Sequence, residues 1–173
     1  MNMQSYIQSK RAFTLIEILV VLVVLAIAAA VVIPKIGTAG DAQSVGAARV
    51  LQADLDMTRS LAVTSQTPHT LVFNADRTAY KVVANYVGGL YSLLTAVPHP
   101  VKAKKTFEVR LAGLNGMGKV RVTAAFGTAG FVTFSSQGDP SAAGTVTLQA
   151  GETEMQIQVQ ALTGRVSVAR TRG

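Results

Sequence analysis

The sequence contains no cysteine and no tryptophan, and only 14% of its 173 residues are charged. Without cysteine the chain cannot form disulfides, thiolate zinc sites or a cysteine nucleophile. Its two histidines, His69 and His99, both lie beside prolines in predicted loops. They have no carboxylate or second histidine at a ligand spacing, so no metal site is expected. Hydrophobic residues make up 49% of the chain, which favours a folded domain plus a membrane segment over a disordered chain.

The sequence also lacks the motifs of common enzymes. No nucleophile-elbow pattern is present, and the glycine-rich residues 113–118 have neither the lysine nor the following helix of a phosphate-binding loop. Asp139 stands nearly alone among uncharged loop residues, so no calcium site is expected. We therefore predict that the chain is not an enzyme and carries no cofactor.

The longest apolar run covers residues 13–33, where only Thr14 and Glu17 interrupt 21 residues. As a helix that rises about 1.5 Å per residue, the run would cover roughly 30 Å, the thickness of a bilayer core. Lys10 and Arg11 precede it, so the positive-inside rule places the N-terminus in the cytoplasm and the remainder outside. These features predict a membrane-spanning helix.

Two alternatives to a membrane helix exist. A helix buried in a soluble domain seldom stays apolar on all sides for this length. A cleavable signal peptide is followed by small residues at its cut site, and alanines 28–30 resemble such a site. The apolar run nevertheless continues to Ile33, beyond the length of an ordinary signal peptide.

Glu17 is the unusual residue of this run. A carboxylate inside a bilayer costs about 2.5 kcal/mol or more unless it finds a partner, so its presence predicts a function. The alternative is that Glu17, near the start of the run, lies at the level of the lipid headgroups and is solvated.

Residues 10–17, Lys-Arg-Ala-Phe-Thr-Leu-Ile-Glu, and the apolar run resemble the class III signal of type IV pilins and type II secretion pseudopilins. The resemblance implies that a prepilin peptidase cuts between Ala12 and Phe13 and that the new N-terminus of Phe13 is methylated. It also implies that Glu17 pairs with the N-terminal amine of a neighbouring subunit, where opposite charges nearly cancel. Pro34 matches a proline common in the family, whereas Ala12 replaces the usual glycine before the cut.

A second helix is predicted after Pro34. This proline removes one helical hydrogen bond, and Gly37 and Gly40 weaken the next turns. We therefore predict a kink or unwound stretch, after which Asp41 or Ser44 caps a restarted helix.

The restarted helix is predicted to be amphipathic and to end near Ser65, before Pro68. Asp56 and Arg59 are interpreted as a solvated pair one turn apart. The apolar stripe consists of Leu51, Leu55, Thr58 and Ala62, and the polar stripe consists of Arg49, Gln52, Asp56 and Arg59.

After Pro68 the pattern changes to a period of two, which predicts about seven or eight short strands. Residues 71–73 and 80–86 flank a polar turn and predict a hairpin, and residues 88–103 are interpreted as a loop. One long helix followed by these strands predicts an α+β fold, with the helix packed on an antiparallel sheet. The other predicted strands contain Phe107, Val109 and Leu111; Val120 and Val122; residues 131–134; residues 145–148; and Met155, Ile157, Val159 and Ala161.

The C-terminal residues predict a hairpin whose two-residue turn is Thr163-Gly164. Its register places four apolar residues on one face, as a half-buried sheet requires. Continuing the register would place two arginines on that face, so the last strand is expected to end near Ala169. The predicted pairs are Ala161 with Val166 and Val159 with Val168, and the two arginines are Arg170 and Arg172.

The order of elements resembles the globular domain of minor pseudopilin H, grouped with FimT-type pilins as the GspH/FimT-like family. In that family a hairpin follows the helix, later strands form a second sheet, and a Gly-Arg pair stands near the end. The matching stretches are residues 71–86, residues 131–138, and residues 155–168 with Gly164-Arg165. The resemblance implies a pilin-like fold whose long N-terminal helix has a membrane half and an amphipathic half.

The basic residues leave two interpretations open. Loss of the leader would lower the formal charge from +7 to +5, because two basic residues leave with it. Some FimT-type pilins bind DNA through arginines near a C-terminal Gly-Arg motif, which Gly164-Arg165 resembles. Arg165, Arg170 and Arg172 are therefore candidate DNA contacts. The alternative is a solvated basic face that discourages pairing between sheet edges.

These patterns predict a structural minor pseudopilin of a type II secretion pseudopilus; the alternative is a FimT-like minor pilin that binds DNA for uptake. We expect a leader (1–12), a transmembrane and assembly helix (13–33), a periplasmic continuation (34–66) and a β-rich domain (67–173). The protein would cross the bacterial inner membrane once, with its N-terminus in the cytoplasm. Its implied partners are other pseudopilin subunits and prepilin peptidase, with DNA under the alternative.

Overall fold

The structure is a computed structural model that describes residues 13–32, 39–114 and 116–172. The chain divides into two compact units, Met1–Gly37 and Thr38–Gly173. Helix α1 (Leu15–Val32) belongs to the first unit. The second unit contains helix α2 (Ala39–Ser65) and, within its described residues, eight strands, so the predicted α+β fold is confirmed. The predicted leader and Pro34 lie outside the described residues.

The strands form two antiparallel sheets of four strands each. The order is β3-β2-β1-β5 in the first sheet and β4-β6-β7-β8 in the second. β5 and β6 follow each other in sequence but belong to different sheets, so the chain changes sheet after Phe134. The strands are β1 (His69–Phe73), β2 (Ala79–Ala84), β3 (Glu108–Arg110), β4 (Arg121–Ala125), β5 (Phe131–Phe134), β6 (Gly144–Ala150), β7 (Thr153–Val159) and β8 (Val166–Arg172).

Helix α2 packs on strands of both sheets. Its end at Ser65 agrees with the prediction, and all four residues of the predicted apolar stripe are fully buried. Burial of apolar surface stabilises by about 25 cal/mol per Å², so this stripe fastens the helix to the sheets. The described members of the hydrophobic core all lie in the second unit. This unit therefore has a core of its own and can fold without α1.

The start of α2 differs from the prediction. Asp41 and Ser44, the predicted caps, both lie inside the helix, which begins at Ala39. The side-chain oxygen Oδ1 of Asp41 instead accepts a hydrogen bond from the N–H of Thr153 (3.1 Å). A Cβ at Gly40 would lie 3.0 Å from the backbone of Gly151, so this glycine permits close packing. The helix starts early because the turn between β6 and β7 packs against its first turn.

Both faces of the first sheet are covered. β1 is buried at all five positions and β2 at five of its six. α2 covers one face, and the long connection between β2 and β3 covers the other. There, Nζ of the buried Lys81 donates a hydrogen bond to the carbonyl of Leu94 (3.0 Å) and lies 4.2 Å from the ring centre of Tyr91. The predicted loop 88–103 is therefore part of the packing of this sheet.

Three predicted strands end earlier than their patterns suggest. β2 ends at Ala84, because Asn85 has a positive φ of 50° that breaks the extended backbone. β3 ends at Arg110, where a short 3₁₀ helix (Leu111–Gly113) begins. β7 ends at Val159, and Ala161 is exposed in the following turn.

One residue predicted in a loop belongs to a strand. His69 starts β1, is only 5% exposed, and has its Nδ1 atom 2.8 Å from the carbonyl oxygen of Thr67. The neighbouring Pro68 suggested a loop, but the strand begins immediately after it.

The C-terminal hairpin has a different register from the predicted one. Val159 pairs with Val166, and Ile157 pairs with Val168, so residues 160–165 form the connection. The N–H of Gly164 closes this connection by donating to the carbonyl of Gln160 (3.0 Å). The predicted two-residue turn is therefore wrong, because the strand pairing ends at Val159 and Val166.

β8 also runs past its predicted end at Ala169 and reaches Arg172. A register shift opposite Glu154 and Met155 allows this extension, because Arg170 pairs with Met155 whereas Arg172 pairs with Glu154. The two arginines therefore do not share the apolar face. Both are exposed at the end of the sheet, where a charged side chain reaches water.

Gly164 lies where loops of both sheets meet α2. It has a φ of 61°, and a Cβ there would lie 2.6 Å from the carbonyl oxygen of Gly138. Nε of Arg59 donates a hydrogen bond to the same oxygen (3.0 Å). Gly138 follows β5 of the first sheet, and Gly164 precedes β8 of the second. The interpretation of Arg59 as a solvated residue is therefore wrong, because it joins α2 to this junction.

Candidate assembly site

The first turn of α1 is capped by Thr14. Its Oγ1 atom accepts a hydrogen bond from the N–H of Glu17 (3.3 Å), and its carbonyl accepts from the N–H groups of Glu17 (3.1 Å) and Ile18 (3.3 Å). A threonine followed three residues later by a glutamate is the pattern of a capping box. The capping bond uses the main-chain N–H of Glu17, so it does not depend on the glutamate side chain.

From Leu15 to Ala29 the apolar side chains of α1 are exposed on every side. Phe13 is 75% exposed, and the large apolar residues from Leu15 to Ile27 range from 49% to 85%. The 18 residues of the helix correspond to about 27 Å. In residues 13–32, 39–114 and 116–172, no helix reaches the length and apolar character that a membrane crossing requires. A helix that is apolar all round is normally buried, either in the core of a large protein or in a membrane.

Of the predicted processing and assembly residues, the structure describes Phe13 and Glu17, whereas Ala12 and Pro34 lie outside the described residues. Phe13 directly precedes the capping Thr14, so the predicted cut would create an amine four residues before Glu17. The pairing of Glu17 with such an amine in a neighbouring subunit stays a prediction from the family resemblance.

The three candidate DNA-binding arginines do not form one cluster. Arg165 lies in the connection before β8, about 16 Å along the strand from Arg170. Nη2 of Arg170 donates to Oγ1 of Thr153 (2.8 Å). Arg172 lies opposite Glu154 in the backbone register of β7 and β8. The result is a set of separate exposed cations rather than one compact phosphate-binding cluster.

A carboxylate and a phenol meet where α2 crosses the first sheet, and the charge of an imidazole acts on the carboxylate. The hydroxyl of Tyr80 donates to Oδ2 of Asp54 (2.5 Å). Burial raises the pKa of Asp54, although the bond from Tyr80 and the charges of His99 and Lys102 oppose the rise. Burial, with Asp54 as a second cause, raises the pKa of Tyr80 well above its ordinary value. The hydrogen bond between Asp54 and Tyr80 joins α2 to β2 of the first sheet.

His99 lies at the edge of this group. Burial and the charge of Lys102 lower the pKa of His99. The geometry agrees, because its Nδ1 accepts hydrogen bonds from the N–H groups of Val101 (3.2 Å) and Lys102 (3.3 Å). Within the described part of the chain, no group of three or more histidine or acidic side chains could hold a metal ion.

Two family profiles match the sequence. A prokaryotic N-terminal methylation motif matches residues 7–33. The profile of the type II transport protein GspH matches residues 47–164, which is more than half of the chain. The chain belongs to the GspH family. A comparison with curated protein sequences returns no match.

Solved structures with the same fold come from two bacteria. The type IV minor pilin FimU of Pseudomonas aeruginosa is 17% identical, with a TM-score of 0.52 over 73% of this chain and 87% of that one. The minor pseudopilin EpsH from the type 2 secretion system of Vibrio cholerae is 10% identical, with a TM-score of 0.51 over 73% of this chain and 96% of that one. At these low sequence identities, the structural similarity shows only that the proteins share a fold.

As a GspH-family protein, the chain is a minor pseudopilin of type II secretion. The methylation motif implies processing by prepilin peptidase, and the family implies a membrane-anchored protein with a periplasmic domain that assembles with other pilin-like subunits. The GspH match ends at Gly164 and includes Arg59 and Gly138. The Gly-Arg pair drew attention to Gly164 in the sequence. No sequence pattern pointed to the packing role of Arg59.

Proposed function

We propose that this minor pseudopilin is cut between Ala12 and Phe13, spans the bacterial inner membrane once, and enters the pseudopilus through α1. The observation that carries the proposal is an exposed apolar helix with one carboxylate, Glu17, in its first turn. The apolar surface requires lipid or neighbouring helices around it. The two basic residues before the apolar run favour a cytoplasmic N-terminus. The role is structural rather than catalytic.

Glu17 is proposed to pair with the N-terminal amine of Phe13 in a neighbouring subunit. A single buried charge is costly, and truncating one partner of a buried pair destabilises by about 3–5 kcal/mol. This cost makes any alignment of helices that leaves Glu17 unpaired unfavourable, so the pair would select the correct stagger between subunits. Pro34, which cannot donate a helical hydrogen bond, is proposed to mark the end of the anchoring segment.

The proposal is tested with Glu17→Gln in the full chain, expressed with its secretion system. The amide keeps the shape of the side chain, and the main-chain cap from Thr14 remains. We expect normal membrane insertion but at least a tenfold loss of the variant from sheared pseudopili, because the loss of one charge of a buried pair costs more than about 1.4 kcal/mol.

Two further variants separate charge from helix stability. Glu17→Asp keeps the charge and should recover part of the incorporation. Thr14→Ala removes the cap, at about 1 kcal/mol of helix stability, and keeps the carboxylate. If Glu17→Gln is incorporated as well as the wild type, the pairing of Glu17 with the amine is excluded.

A further inference from the structure

The connection between β2 and β3 differs in composition from the rest of the domain. Residues 85–107, which we call the basic loop, contain three lysines and no aspartate or glutamate. They also hold most of the exposed large apolar residues described in the second unit; the others are Val63 and Leu162. Their concentration in one connection makes the basic loop a candidate contact surface. The exposed apolar residues of the loop are Val87 (98%), Leu90 (70%), Leu93 (77%) and Val101 (74%).

The apolar part of the basic loop is held in a defined shape. Tyr91–Leu93 forms a 3₁₀ turn, closed by the N–H of Leu93 donating to the carbonyl of Leu90 (2.9 Å). Below it, the buried Lys81 contacts the Tyr91 ring and bonds to the carbonyl of Leu94, as described above. Leu90 and Leu93 are therefore presented to solvent on a turn that is fixed from the sheet.

The lysines lie along the outer edge of the first sheet. Lys102, Lys104 and Lys105 are exposed, and together with Arg110 they line a groove of about 630 Å³. Glu108 is the acidic residue of that groove, so cations outnumber carboxylates by four to one. Arg110 and Glu108 also line the cavity beside Tyr91. The lysines and the apolar turn therefore flank the same strand, β3, which is an outer strand of the first sheet.

We propose that the basic loop binds the surface of an anionic phospholipid bilayer. Leu90 and Leu93 would enter the headgroup region, and the lysines would contact lipid phosphates. Interfacial binding needs both apolar side chains and cations, and the loop supplies both without an acidic residue of its own. Duplex DNA would use the cations but would leave the apolar turn in water. The membrane anchorage implied by the family raises the effective concentration of the bilayer.

The second unit by itself, residues 39–173, is the protein to test, because it contains its own core and lacks the apolar helix α1. Co-sedimentation with vesicles of phosphatidylethanolamine and phosphatidylglycerol is compared with vesicles of phosphatidylcholine alone. We expect binding to the anionic vesicles only, and a decrease as salt is added.

Charge variants locate the contact. Replacing Lys102, Lys104 and Lys105 by glutamine should lower the partition coefficient roughly a hundredfold, since each lysine near an anionic surface contributes about fivefold. The matched control replaces Arg121, Arg165 and Arg172, which are exposed outside the loop, and removes the same net charge. It should lower binding far less.

Tryptophan substitutions report the apolar contact, because the chain has no tryptophan of its own. The fluorescence of Leu90→Trp should shift to shorter wavelength with anionic vesicles. Leu162→Trp, at a residue that is 89% exposed in the connection between β7 and β8, should not shift. Replacing Leu90 and Leu93 by serine should weaken binding about tenfold or more without changing the thermal unfolding temperature.

Three results would overturn the proposal. The first is an absence of binding to anionic vesicles at low salt. The second is equal loss of binding in the lysine and arginine variants. The third is binding to duplex DNA with none to vesicles, which would assign the lysines to nucleic acid instead. None of these results bears on the pairing of Glu17, so the two proposals can fail separately.

Discussion

Replacing Gly164 by alanine should destabilise the second unit by about 3 kcal/mol, through two separable causes. The first is the backbone, because φ is 61° at this position and alanine disfavours that conformation. The strain is about 1–2 kcal/mol and is partly offset by the lower entropy of the unfolded alanine chain, which leaves about 1 kcal/mol. The second cause is contact with a neighbouring loop.

The contact follows from the junction with Gly138. The new Cβ would lie 2.6 Å from the carbonyl oxygen of Gly138, which is closer than real Cβ atoms approach backbone, so one loop must move. Movement breaks the hydrogen bond from Arg59 to that oxygen. A hydrogen bond to a charged group contributes about 1.5–3 kcal/mol, so about 2 kcal/mol is added to the backbone strain.

Gly127 is the matched control. Its φ is 65°, close to that of Gly164, but no heavy atom lies within 4 Å of the position of a Cβ. Gly127→Ala should therefore cost only about 1 kcal/mol. Urea unfolding of residues 39–173 measures both variants. At about 2 kcal/mol per M, the midpoint should fall by about 1.5 M for Gly164→Ala and about 0.5 M for Gly127→Ala.

A double-mutant cycle tests the assignment to Arg59. Arg59→Met removes the hydrogen bond and keeps an unbranched side chain. In that background Gly164→Ala should cost only about 1 kcal/mol, because the bond is already lost. Equal midpoints for Gly164→Ala and Gly127→Ala in the wild-type background would refute the contact with Gly138, since both positions share the same backbone conformation.

Two other predictions concern processing and pH. With a prepilin peptidase present, mass spectrometry should find a mature chain that begins at Phe13 and carries one added methyl group; a chain that retains Ala12 would contradict the proposed cut. Asp54→Asn should stabilise the second unit more at pH 7 than at pH 4, measured by urea unfolding. Burial raises the pKa of Asp54 in the folded protein above 3.8. The stability that the protonated carboxyl contributes at low pH is therefore lost as the pH rises through that folded pKa. The amide of the variant does not titrate and still accepts the hydrogen bond from Tyr80. The prediction would be contradicted if the free energy of unfolding of the wild type rose relative to that of the variant as the pH increased.

The helices and most strands could be predicted because their apolar periods are local. The stripe of α2 from Leu51 to Ala62 repeats every three or four residues, and one face of such a helix must be buried. The alternation in β7 likewise identifies its buried face. The division into two sheets is not local. The sequence does not show that β5 joins β1 while β6 joins β7, because pairing partners depend on contacts between distant residues.

The candidate site could be predicted from the sequence only in part. Glu17 could be found because a carboxylate in an apolar run is energetically unusual. The separation of Arg170 from Arg172 could not, since one register shift in β8 sends neighbouring side chains to opposite faces. Arg59 could not be recognised either. An arginine on the polar side of a helix looks solvated until a loop carbonyl from elsewhere in the chain is placed beside it.

The way α2 is fastened also has a mechanical consequence. Among the described residues, side-chain hydrogen bonds tie the helix to the β-rich part from its first turn to its last third, and they reach loops and strands of both sheets. A tensile or compressive load applied to the N-terminal end of α2 is therefore shared among several attachments instead of being concentrated at one. A filament subunit held in this way can carry such a load without separating a strand from either sheet. The attachments are Asp41 to Thr153, Gln43 to Lys119, Gln52 to Val166, Asp54 to Tyr80 and Arg59 to Gly138.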